Sequence, residues 1–166
     1  MILESPAKKY SAQLQKEAFL PTVQRSSRVI YSAAQMFDLV NDIEKYPEFL
    51  HWCRAARVDV RQGNTIEATL DIGVLGFQRS FRTRNTLRRP DRISIELVSG
   101  PFRRLRGEWK FVDLATGGSE VSLSLSFEVT VSPFGAVFSK VFEELAGTQM
   151  DAFTARAAKL YASENT

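Results

Sequence analysis

From Cys53 to Val131 the chain alternates apolar and polar residues with period two. Val58 and Val60, then Ile66, Ala68, Leu70, Ile72 and Val74, each share one face, and so do Ile93, Ile95 and Leu97. Phe77 and Phe81 lead a further strand towards Leu87, Leu105, Trp109 and Phe111 mark another, and Val121, Leu123, Leu125, Phe127, Val129 and Val131 close the series. Gly63-Asn64, Leu75-Gly76, Arg89-Pro90-Asp91, Gly100-Pro101 and the run Thr116 to Ser119 separate these stretches with turn-forming residues. Six hairpin-linked strands with one apolar face predict an antiparallel meander that buries a single side. A seventh strand, Thr22 to Tyr31, precedes a helical insert. There Ser32 and Gln35 form a capping box for a short helix from Ala33 to about Val40. Asn41 is placed to cap a second turn through Tyr46, and Pro47 interrupts it.

The last long segment, Ser132 to Tyr161, reads as one helix, with Ser132 as cap and Pro133 at the first helical position. Phe134, Phe138, Val141 and Leu145 recur at helical spacing, flanked by Val137 and Phe142. Ala146, Met150, Phe153, Ala157 and Leu160 continue the rhythm one residue out of phase, which predicts a bend near Gly147 or a change in what the helix covers. Seven strands at about 4.8 Å make a sheet roughly 30 Å wide, whereas a helix is about 10 Å across. The sheet must therefore curl around the helix, with the short helices closing one end. That geometry leaves either an apolar pocket or a space filled by the twelve phenylalanines and two tryptophans.

Length and composition limit what this architecture can be. A chain of 166 residues, 44% hydrophobic, fits one α+β domain. We expect that domain over residues 22–163, with residues 1–21 as a mobile polar tail. No stretch of 18 apolar residues occurs, so a cytoplasmic protein is the default expectation. One cysteine, Cys53, and one histidine, His51, exclude an internal disulfide and a Cys/His metal site. Charge is unevenly placed: between Phe77 and Gly107 nine arginines stand against Asp91 and Glu96. Arg82, Arg84, Arg104 and Arg106 are out of phase with Phe81 and Leu105 and so belong to the outer face. Two readings remain for them, a solubilising surface or a basic patch for RNA or anionic lipid head groups. Inward positions offer almost no acid or base, Arg79, Asn85 and Asp113 excepted, so an enzyme is not expected.

The order of elements resembles the helix-grip fold of START-like lipid-binding proteins. Within that superfamily, Val40-Asn41-Asp42-Ile43-Glu44-Lys45-Tyr46-Pro47-Glu48-Phe49-Leu50-His51-Trp52-Cys53 resembles the signature of the coenzyme Q-binding family, which also holds the bacterial ribosome-association toxins. Gly76-Phe77 with Phe81 to Asn85, and Gly100 to Phe111, agree with it. The resemblance covers about Val23 to Tyr161; His51 departs from it, standing where many relatives carry proline. It implies a ubiquinone-like lipid as bound ligand and no catalytic cofactor. Contact with the large ribosomal subunit or with a membrane periphery is the alternative it carries.

On this resemblance Tyr46, Pro47, Phe49 and Trp52 are expected at the mouth of a quinone pocket, with a phenol or indole donor meeting a quinone oxygen. Phe37, Val40, Phe81, Trp109, Phe127, Val137, Val141 and Leu145 are expected along its walls. The competing reading is that these aromatics simply fill the core. Gly107 is expected to admit close approach of the helix or a bulge.

Overall fold

A computed structural model of the protein describes residues 21–74, 76–130 and 135–162. The expected tail, the cap at Ser132 and Pro133, and Phe134 lie outside these residues. The element order is β1 (Thr22–Val29), α1 (Ala33–Asn41), a 3-10 helix (Ile43–Glu48), β2 (Cys53–Gln62), β3 (Thr65–Val74), β4 (Phe77–Arg88), β5 (Arg92–Ser99), β6 (Phe102–Asp113), β7 (Ser119–Val129) and α2 (Gly135–Tyr161). The seven strands form one antiparallel sheet in the order β1-β7-β6-β5-β4-β3-β2. The meander is thus continuous from β2 to β7, and β1 is added beside β7.

Local chemistry explains the insert. Ser32 Oγ accepts from Gln35 N at 3.1 Å, and Gln35 Oε1 accepts from Ser32 N at 2.9 Å, as the capping box predicts. Asp113, at the far end of β6, adds a carboxylate that accepts from Ala33 N at 2.8 Å. It is an exposed cap for α1 rather than an inward group. The following turn starts from Asp42, not Asn41, and makes no side-chain cap. It runs as a 3-10 helix with Pro47 inside it, because the proline lacks the amide that an α-helical turn would need.

The long helix differs from expectation in its buried face. Phe138, Phe142, Ala146, Met150, Phe153 and Ala157 are buried. At about 100° per residue they occupy roughly a third of the circumference, so one stripe runs the full length with no slip. Val141 and Leu145 only flank it, and Val137 is 53% exposed. The Phe138 and Phe142 rings remove far more apolar surface from water than the valines would, and they decide which side faces the sheet.

The helix is also unbroken at Gly147. A Cβ there would stand 2.9 Å from Arg25 Nη2, so the glycine makes room for a guanidinium reaching over from β1. Gly107 serves a neighbouring strand, since a Cβ there would stand 2.7 Å from Leu125 Cδ1. The β6–β7 register shift falls instead between Phe102 and Arg104.

Candidate functional site

A cavity of about 70 Å³ lies between the sheet and the middle of α2. Its floor comes from alternate residues of β3 to β7: Ala68 and Leu70, Phe81, Thr83 and Asn85, Ile95, Leu105 and Trp109, then Leu123 and Leu125. Phe142, Leu145, Ala146, Gln149 and Phe153 form the roof, and Ile43, Tyr46 and Trp52 close one end. The strands place these side chains because period two sends every second residue inward.

Of the expected wall residues, Tyr46, Trp52, Phe81, Trp109 and Leu145 line the cavity. Phe37, Val40 and Phe127 are buried elsewhere in the core, with Phe37 edge-on to Phe111 at 5.6 Å and Phe127 edge-on to Phe142 at 4.8 Å. Val137 and Pro47 are exposed, and half-buried Val141 does not reach the cavity. Much of the expected pocket space is filled by rings. Phe102 lies 4.8 Å from Phe142 and 5.6 Å from Phe81, which packs the half of the core nearer the start of α2.

The closed end is an aromatic plug. Tyr46, Phe49 and Phe153 meet edge-on with centroids 5.2 to 5.9 Å apart, and Trp109 meets Phe153 at 5.3 Å. Arg156 covers the plug: its guanidinium lies 5.2 Å from the Phe49 centroid and donates to Glu48 at 2.6 Å. The Tyr46 hydroxyl donates to the carbonyl of Val40, and burial holds its pKa above the usual phenol value. Its single proton is therefore committed to the backbone, which removes the phenol as the expected donor to a quinone oxygen.

Groups able to act as acid, base or nucleophile are scarce. Burial pushes the Cys53 thiol up to about 11, so it stays protonated at neutral pH. Arg79 is exposed and donates to the Gln78 carbonyl at 2.8 Å instead of pointing inward. Among the described residues no cluster of three or more His, Cys, Asp and Glu side chains could hold a metal ion. Sequence reasoning passed over Thr83 and Gln149 and noted Asn85 only as a weak chemical candidate. The signal for Thr83 and Asn85 was present, because both share the inward phase of Phe81.

The outer face carries a lattice of opposite charges. Glu67, Arg84, Glu96 and Arg106 stand in register across β3, β4, β5 and β6. Arg84 reaches Glu67 at 2.7 Å, Arg82 also bonds Glu67, and Arg82 lies 3.7 Å from Asp59. The two guanidinium groups hold the Glu67 carboxyl below the usual carboxylate range. Arg82 and Arg84 are thereby neutralised, while Arg104 and Arg106 sit two strands away on β6 beside Arg103. The four arginines do not form one patch.

Comparison with known proteins agrees with the fold. The chain is 37% identical over 147 residues to the ribosome association toxin RatA of Escherichia coli K12, covering 89% of this chain and 93% of that one. It is 23% identical over 142 residues to the mitochondrial coenzyme Q-binding protein coq10 of Schizosaccharomyces pombe, covering 80% and 85%. A START superfamily protein from Mycobacterium smegmatis superposes with a TM-score of 0.71 at 21% identity, over 84% of this chain and 98% of that one. The Zhui aromatase/cyclase from Streptomyces sp. R1128 gives 0.74 at 15% identity, over 84% and 94%. The model of polyketide cyclase/dehydrase and lipid transport proteins matches residues 29–154. A helix gripped by a seven-stranded sheet, matched by that model and by close RatA relatives, makes this chain a member of the polyketide cyclase/dehydrase and lipid transport family.

Proposed function

We propose that this chain is a non-catalytic cytoplasmic binding protein that shelters a polyprenyl quinone or similar lipid between the sheet and α2, in support of respiration. One observation carries the reading: the cavity is walled by apolar side chains apart from Thr83, Asn85 and Gln149, and its single titratable residue, Tyr46, has its hydroxyl occupied. Such a site favours burial of an isoprenoid chain, worth about 25 cal/mol per Å², over proton transfer. A volume of about 70 Å³ holds part of a head group only, so full occupancy requires α2 to lift from the sheet. Its attachment allows that. The inter-element bonds of α2 among the described residues, Arg156 to Glu48 and Tyr161 to the Gln35 carbonyl, lie in its last two turns. Native mass spectrometry of protein made in a quinone-producing host, followed by organic extraction, tests the reading. One quinone per chain is expected; lipid-free protein from such a host would overturn it.

The name of the Escherichia coli relative favours a second reading, association with the large ribosomal subunit. Arg103, Arg104 and Arg106 on β6 would supply the phosphate contacts, and the same strip would attract anionic lipid head groups at a membrane surface. Reversing these three to glutamate should abolish any co-sedimentation with ribosomes and flatten its salt dependence, while lipid binding persists. We expect wild-type co-sedimentation to be weak at physiological salt. Tight, stoichiometric migration with the large subunit, lost in the variant, would make ribosome association the principal activity.

A further inference from the structure

The cavity floor contains a polar pair that neither packing nor secondary structure requires. Thr83 and Asn85 are 6% and 7% exposed, two residues apart on β4 and both turned inward. Other buried hydroxyls are satisfied within the chain: Ser119 donates to the Tyr31 carbonyl and Thr69 to the Asp59 carboxylate. Asn85 is only half satisfied. Its Oδ1 accepts from the Thr83 hydroxyl at 3.1 Å, and among the described residues no hydrogen bond engages its amide nitrogen, which keeps some access to the cavity. Its register neighbours are Ile66 on β3 and Ile95 on β5, so the adjacent strands offer no side-chain acceptor on that face.

The bond from Thr83 occupies the carbonyl end of the amide. In this arrangement the hydroxyl proton goes to the carbonyl end of Asn85, and the NH₂ group is the end left facing the cavity. Asn85 itself lines the cavity. A donor facing an apolar cavity without an acceptor is unfavourable, and leucine would fill this position with no such cost. We propose that Asn85, oriented by Thr83, is the specificity-determining donor that recognises a carbonyl-type oxygen on the lipid head group and selects oxygen-bearing heads over plain hydrocarbon. This rests on the lipid-binding reading of the same cavity and adds the head-group chemistry to it.

Two probes of matched shape separate the two ideas: decyl-1,4-benzoquinone, and decylbenzene, which lacks both oxygens. Equilibrium binding to the full chain should favour the quinone beyond its partition difference by about tenfold, the scale of one buried hydrogen bond. Asn85→Leu should remove that preference while decylbenzene binds as before. Asn85→Asp, which replaces the donor by an acceptor of the same shape, should weaken the quinone further. Thr83→Val frees the amide to rotate and should reduce the preference partway. Retained preference in a folded Asn85→Leu protein, or equal wild-type binding of both probes, would overturn the role of Asn85 and leave the cavity as a lipid site. If wild-type protein binds neither probe, the lipid reading falls and this inference falls with it.

Discussion

Leu145→Trp should abolish lipid uptake while leaving the protein folded. Leu145 is half-buried in the cavity roof, facing the floor formed by β3 to β7. An indole there occupies much of a space of about 70 Å³, and overpacking costs about 1 to 3 kcal/mol, well within the stability of a domain of this size. Quinone affinity should fall at least about a hundredfold, equivalent to about 2.7 kcal/mol. Val141→Trp is the matched control, because Val141 lies one turn earlier on the same helix but outside the cavity lining. Binding by titration calorimetry should be near wild type in the control and absent in Leu145→Trp. A folded Leu145→Trp protein with wild-type affinity would place the ligand elsewhere.

Phe153→Ala should give the largest loss of stability. The ring is almost fully buried and meets Tyr46, Phe49 and Trp109 edge-on, so it joins the long helix, the insert and the sheet. Removing it deletes the centre of the plug and leaves a void that three fixed rings cannot fill, at a cost of about 3 to 5 kcal/mol. The thermal midpoint should drop by about 10 °C or more, read by circular dichroism. Phe153→Leu, which keeps most of the volume, should lose less than half as much. A loss under about 1 kcal/mol for the alanine variant would mean that the insert collapses readily onto the helix and that the plug is not rigid.

The strands were readable because one buried face enforces period two, and each reversal is marked by glycine, proline or asparagine. The capping box at Ser32 and Gln35 was readable for the same reason, being local chemistry. What failed were particular contacts with partners distant in the chain, although Tyr46, Trp52, Phe81, Trp109 and Leu145 do meet around one cavity as expected. Val141 and Leu145 keep helical spacing as well as Phe142 and Ala146 do, and only the opposing β4, β6 and β7 rings choose between the two stripes. The Tyr46 phenol looked available because its acceptor is a backbone carbonyl, which no side-chain pattern reveals. Nine arginines in one window suggested a basic patch, yet Glu67 and Asp59, which neutralise Arg82 and Arg84, lie on β3 and β2 outside that window. A linear count of charge misses a lattice folded in two dimensions.

The polar attachment of α2 is uneven among the described residues. Near its C-terminal end an ion pair, a cation–π contact and a tyrosine hydrogen bond tie it to the helical insert, whereas nearer its start Phe142 meets the β4 and β6 rings edge-on. A guest that displaced apolar contacts alone would therefore leave the ties at Glu48 and Gln35 intact, and the insert would travel with the helix as one lid.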